Sequence, residues 1–206
     1  MSIISKIKSN PKLKKMALAF LIPSNEHRPR LWVRIFLNPF KHKRGKRSII
    51  RRRTRLDVFP FNEFELGERS VIEDFSTINN GVGNVIIGNR TIVGISNVII
   101  GPVLIGNNVM LAQNIVISGL NHGYEDITLS PSLQKVICKQ ITICDDVWIG
   151  ANSVITAGVT IGKHCIVGAG SVVTKNIPEF SIAVGNPAKV IKQYNVVSKK
   201  WEKTCF

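Results

Sequence analysis

A chain of 206 residues is long enough for one domain with extensions. Its net charge of +15 is lopsided: residues 1–60 hold 17 Lys and Arg against Glu26 and Asp57, whereas residues 61–206 hold 11 basic and 11 acidic residues. The longest apolar run, Met16 to Ile22, is seven residues where a membrane-spanning helix needs about 20, and Cys138, Cys144, Cys165 and Cys205 show neither disulfide nor metal-site spacing.

Residues 3–22 read as a short basic amphipathic helix, with Ile3, Ile4, Ile7, Leu13 and the run from Met16 on one side, Pro11 as a point of division and Pro23 as the stop. No small-residue cleavage site follows the apolar run, and dense positive charge comes next. The segment is therefore not read as a signal peptide, and the chain is expected in the cytoplasm. Residues 41–55, KHKRGKRSIIRRRTR, carry nine basic and no acidic side chains. Three uses compete for them. Glu63, Glu65, Glu68, Glu73 and Asp74 follow closely enough to pair with them. An anionic membrane surface would attract them, at about 1 kcal/mol per Lys or Arg. Nucleic acid is the poorest fit, because no aromatic residues are interleaved and no motif is present. Phosphates of a ligand are a further use of the strip.

From residue 66 the chain repeats every six residues. Leu66, Ile72 and Ile78 begin the series. Ile87, Val93, Ile99, Ile105, Leu111 and Ile117 continue it, and Ile143, Ile149, Ile155, Ile161, Val167 and Val173 complete it after a break. A small residue usually follows each marker, as at Gly67, Gly88, Gly106, Ala112 and Gly150. A second small or branched residue comes four positions after it, as at Thr91, Val109, Ser153 and Ser171. No single helix or strand has a period of six, but a hexapeptide β-helix does. Each hexapeptide would supply one strand and one corner of a triangular prism, with the marker inside. The following Gly would lie near a corner, where bulk crowds the turn and the backbone can need φ > 0. Fifteen markers predict about five coils. Cys165 falls at an inward position and reads as a small core residue; Cys205 is next to last and forms no prenylation box.

The rhythm stops after Ile117 and resumes at Ile143. A long loop leaving a rigid solenoid is where function is commonly mounted. The loop 119–140 holds His122, the only His of the repeat region besides His164. Imidazole titrates near ~6.5, so it can take a proton from a hydroxyl and later return one to a leaving group. Glu125 and Asp126 are placed to orient it or simply to be solvated.

The repeat, the segment DDVWIGANSVITAGVTIG (145–162) and the closing VGNPAKVI (184–191) resemble the left-handed hexapeptide acyltransferases. The sugar O-acetyltransferase branch is the nearest, with its galactoside, maltose and capsular-polysaccharide enzymes. The resemblance covers about 61–194. It implies an all-β, left-handed parallel β-helix over 61–188, which joins the basic, partly helical N-terminal arm over 1–60, read from its charge and apolar spacing, to a tail 189–206 expected to hold a short C-terminal helix. It implies a homotrimer with acetyl-CoA as acyl donor, bound in a groove between neighbouring prisms, and a sugar or glycan acceptor.

By the same resemblance His122 is the catalytic base, and the backbone N–H of Ala151 faces the thioester oxygen. Trp148 lines the coenzyme region, and Ala169 contacts the pantetheine arm. Thr174, Lys175, Lys189 and Lys192 lie near the phosphates. Gly94 stands where the galactoside branch has an acceptor-side Asn. Asn79, Asn80 and Asn97 are the candidate substitutes, against the simpler use of Asn at turns and corners. A γ-carbonic-anhydrase-like metal site would need three His on adjoining faces, and only His122 and His164 are available. A non-catalytic scaffold would not need the base or the loop. Serine or an antibiotic remains an alternative acceptor.

Overall fold

A computed structural model describes residues 9–24, 26 and 28–204. The expectations for Ile3, Ile4, Ile7 and Cys205 lie outside the described residues. Three hexapeptides make one coil. Val85 pairs in parallel with Val103, Ile92 with Met110 and Val98 with Val116, each partner eighteen residues further on. The strands stack into three parallel sheets. The first, which begins at Lys43–Arg44, and the third, which begins at Arg55–Asp57, have six strands each, and the second, which begins at Ile49–Ile50, has nine because the chain end adds to it. All fifteen markers are at most 2% exposed and form one continuous core. The residues four positions after the markers are buried with them, except Val82 and Asn121, which follow the last marker before a longer turn or insertion. Ser70, Thr91, Ser153 and Ser171 there spend their hydroxyls on backbone carbonyls.

The solenoid has six coils rather than five. Lys43–Arg44, Ile49–Ile50 and Arg55–Asp57 form a first coil, in which Arg44, Ile50 and Leu56 stand in register with Leu66, Ile72 and Ile78. The expected boundary between arm and prism at residue 60 therefore falls inside the β-helix. This coil escapes the hexapeptide pattern because Arg44 occupies a marker position and the step to the next coil is 22 residues, not 18. Stacking also uses part of the basic strip. Lys43 pairs with Glu65 and Arg51 with Glu73, and the Arg53 N–H donates to the Asp74 carboxylate.

The small residue after each marker has a different reason from the one expected. Left-handed φ occurs three positions after the marker, at Arg69, Arg90, Asn108, Asp146, Asn152 and His164, and at Gly158 and Gly170. The Gly directly after the marker instead faces its equivalent one coil away: a Cβ on Gly67 would collide with the Gly88 carbonyl group.

Over its described residues, to Thr204, the tail is not helical. Ser181–Gly185, Ala188–Asn195 and Lys200–Lys203 form an antiparallel extension of one sheet, with Tyr194 and Trp201 opposed and their rings 5.6 Å apart. Val190, Ile191, Tyr194 and Trp201 suit a pleated sheet, and the cross-strand aromatic pair contributes where a tail helix would have none.

At the other end, helix α1 (Pro11–Leu21) begins where Asn10 accepts from the N–H groups of Lys12 and Leu13. Ser9 is helical and Asn10 is not, so the chain divides just before Pro11, which opens this helix. A second helical stretch, π-helical over Val33–Leu37 and closing as α2 (Asn38–Lys41), covers the open mouth of the first coil. Val33 is fully buried, and the Asn38 side chain donates to the Val58 carbonyl at 2.8 Å. A cavity of about 690 Å³ lies between this stretch and the coil, over Ile50, Leu56, Val58 and Phe64.

Candidate active site

The break in the rhythm is a two-stranded ribbon rather than a loose loop. Val103 pairs with Ile141, 38 residues on, so the insertion adds 20 residues to a coil of 18. Leu120–His122 runs antiparallel to Val136–Cys138, with His122 opposite Val136. The Lys139 N–H donates to the Gly119 carbonyl at the ribbon's root, and the Gly123 N–H donates to Lys135 just past His122. Further out, the Gln134 side chain holds the Asp126 and Leu129 carbonyls. This backbone pairing fixes the position of an exposed His122 imidazole.

The two neighbouring acids do not orient it. Glu125 accepts from the Tyr124 N–H, and Asp126 accepts from the Thr128 N–H and hydroxyl. These local bonds hold both carboxyls below the ordinary carboxylate range. His164 sits at a corner with left-handed φ, its ring 6.0 Å from that of Phe180.

The coenzyme-side candidates are divided between two faces of the prism. Trp148 is half exposed on the second sheet, between Met110 and Ile166. Ile166 pairs with Ile182, and Ile182 with Lys192. Trp148 and Lys192 thus end one row of three strand steps, about 14 Å long at the usual strand spacing. Lys189 lies in the same strand as Lys192, opposite Val184. Ala151 and Ala169 occupy equivalent turns of successive coils. The Gly170 N–H donates to the Ala151 carbonyl at 2.8 Å, while the N–H groups of Ala151 and Ala169 make no hydrogen bond within the described residues. Such turn amides are free to receive a polarised oxygen. Thr174 and Lys175 are exposed just past Val172–Val173, on the third sheet.

Within one chain the His122 ribbon and Trp148 belong to different faces of the prism. The ribbon leaves after Val116–Ser118 of the third sheet and returns at Ile141–Ile143 of the first, whereas Trp148 lies on the second.

Two acceptor-side candidates are corrected. Asn80 is fully buried, accepts from the Phe59 N–H and donates to the Phe59 and Asn62 carbonyls. Asn97 is fully buried too, accepting from the Ile115 N–H at 2.6 Å and donating to the Ala112 carbonyl at 2.8 Å. Both satisfy backbone at the corners and present nothing to a ligand. Asn79 is half-buried and caps the Gly81 N–H. It is in register with Ile100, and Ile100 with Ser118, on the face from which the His122 ribbon leaves.

Sequence reasoning passed over the apolar surface of the ribbon. Tyr124, Ile127 and Leu133 are strongly exposed there, and the signal was bulky apolar residues in a segment read as loop.

Residues 140–175 match the family model described as bacterial transferase hexapeptide (six repeats). The chain is 36% identical over 142 residues to a probable acetyltransferase of Mycobacterium tuberculosis, covering 68% of this chain and 46% of that protein. It is 35% identical over 153 residues to a putative acetyltransferase of Schizosaccharomyces pombe, covering 72% and 71%. A maltose O-acetyltransferase from Clostridium difficile has a similar structure, with a TM-score of 0.53 and 29% identity over 91% of this chain and 87% of that one. The chain belongs to the hexapeptide-repeat transferase family, and its coils are accordingly those of a left-handed β-helix. It spans about half the length of the curated relatives it matches first.

Proposed function

We propose that this chain is an O-acetyltransferase that moves an acetyl group from acetyl-CoA to a hydroxyl of a sugar or glycan, acting as a homotrimer with His122 as general base. The observation that carries the reading is the division of the site. The fixed ribbon presents an exposed His122 at one corner of the prism, while Trp148 and the unbonded turn amides lie elsewhere. A threefold neighbour would supply the second wall of a groove and bring the two halves together. Tyr124, Ile127 and Leu133 would then be covered by that neighbour.

In the groove, His122 takes the proton of the acceptor hydroxyl as its oxygen attacks the thioester carbonyl. The Ala151 N–H stabilises the oxyanion that forms. The C–S bond then breaks, the acetyl ester is released, and the proton passes to the departing thiolate. Lys175, Lys189 and Lys192 supply point charges for the coenzyme phosphates, and Ala169 meets the pantetheine arm. Trp148 and Thr174 line its path, and Asn79 is the remaining acceptor-side candidate. The relatives' named activities support acetyl transfer, and the likeness to the maltose enzyme and to galactoside O-acetyltransferases supports a sugar acceptor. The same reading places the acceptor near an anionic membrane surface, toward which the basic N-terminal region would be drawn.

The test is thiol release from acetyl-CoA against a panel of free sugars and oligosaccharides. His122→Ala should lower turnover by about 100-fold or more, in the range for a positioned base. It should leave coenzyme binding and the melting temperature intact, and His164→Ala should keep most activity. Equal loss in both variants would remove His122 from the mechanism.

A further inference from the structure

The N-terminal cap carries a surface that catalysis does not use. Met16, Phe20, Leu31, Phe36 and Phe40 are each at least 65% exposed. Leu13, Met16 and Phe20 recur at helical spacing along α1. Phe36 and Phe40 are four residues apart on the second stretch. The Phe20 and Trp32 rings meet at 4.8 Å, and the Arg30 side chain donates to the Ala19 carbonyl, so the two helical segments form one unit. Lys12, Lys15, Arg34 and Lys41 lie on the same two helical segments and form no ion pair with a described residue.

We propose that this cap is an interfacial membrane anchor: Met16, Phe20, Leu31, Phe36 and Phe40 enter the headgroup–acyl boundary of an anionic leaflet, and the surrounding Lys and Arg bind lipid phosphates. The attraction suggested by charge alone thereby becomes insertion, and it rests on the proposed function only for where the acceptor lies. Charge decides the occupant. A second copy of the same surface would bring like charges together, which opposes association. Nucleic acid would satisfy the cations and leave five bulky apolar side chains without a partner. An anionic bilayer satisfies both. The segments lie on the membrane and do not cross it: α1 has 11 residues, about 16 Å of helix against a hydrocarbon core of about 30 Å.

The experiment is partitioning of the full chain onto vesicles of phosphatidylglycerol with phosphatidylcholine, and of phosphatidylcholine alone, at low and high salt. Binding should require the anionic lipid, weaken as salt screens it, and retain a salt-resistant fraction. Phe36→Ser with Phe40→Ser should lower the partition coefficient by about tenfold or more at constant charge. Lys12, Lys15, Arg34 and Lys41, each changed to Gln, should abolish the salt-sensitive part. Both variants should melt as the parent does.

No binding at low salt overturns the proposal. So does binding that ignores the Phe substitutions and vanishes with salt, since that is adsorption without insertion. So does binding equal on neutral lipid. A Phe variant that changes the sedimentation coefficient while keeping vesicle affinity would assign the surface to a second copy instead. Partitioning needs no turnover, so these outcomes stand apart from the fate of the acetyltransferase reading.

Discussion

Gly88→Ala tests what the glycine after each marker is for. A Cβ at Gly88 would lie 2.5 Å from the Gly106 carbonyl oxygen and 2.6 Å from its carbon, against ordinary contacts of 3.4 Å and beyond. The backbone has little room to yield. The Gly88 N–H donates to Ile105, the Gly67 N–H to Ile87 and the Gly106 N–H to Ile143, all at 2.8 Å. Overpacking of this kind costs about 1–3 kcal/mol, while Gly→Ala restricts the unfolded chain and returns about 0.4–1 kcal/mol. The net is a destabilisation of roughly 1–2 kcal/mol, or about 2–8 °C in Tm for a chain of this size. Gly170→Asn is the counterpart. Its φ is +70°, a Cβ there would meet nothing within 4 Å, and Asn108, Asn114 and Asn152 hold the same position of their coils with φ of 55–59°. That variant should melt within a degree or two of the parent. Thermal unfolding by circular dichroism at one fixed protomer concentration measures both. A stable Gly88→Ala beside a destabilised Gly170→Asn would refute the assignment of close approach to the first position and left-handed backbone to the third.

Asn97→Ala should destabilise by about 2 kcal/mol or more in urea unfolding, because it leaves the buried Ile115 N–H and Ala112 carbonyl without their partner. Asn79→Ala should leave stability nearly unchanged and act on the acceptor KM if it lines that side. His42 has both ring nitrogens buried without a hydrogen bond, and burial lowers its pKa from 6.5. The unfolded chain therefore binds more protons between that lowered value and 6.5. The His42 contribution to stability is full above 6.5 and falls as pH drops through the window. His42→Phe should flatten this part of the stability–pH curve, and an unchanged curve would place the titration elsewhere.

The core of the fold was legible because the prism repeats one physical demand. Each marker must fill the same interior slot, so fifteen aliphatic residues at one spacing announce it, and all fifteen are buried. Legibility failed where the demand was met by other means. Arg44 can occupy a marker position in the first coil because it lies at the open mouth, exposed, with its side chain donating to the Ser48 carbonyl. The tail reads as helix in sequence because VGNPAKVI has no six-residue beat and Lys189 and Lys192 mask the pleat. Its partner, Lys200–Lys203, identifies it as a strand only once Tyr194 and Trp201 face each other.

The candidate site was legible to a different depth for each kind of residue. His122 stood out because it interrupts a rhythm, and the ribbon that holds it is an insertion with a pairing scheme of its own. The asparagines did not sort themselves, because a corner that needs a backbone bridge and a face that needs a polar contact both accept Asn. Asn80 comes two positions after the marker Ile78 and Asn97 four after Val93, and both amides turn inward to the chain, whereas Asn79, one residue before Asn80, is half-buried and caps the Gly81 N–H. A single position of difference along the strand reverses which side of the wall an amide serves. Acceptor recognition therefore depends on side chains that face away from the repeat and obey no period. The coils hold those side chains in place and put no constraint on their identity, so the same prism can present different acceptor contacts without any change in its core.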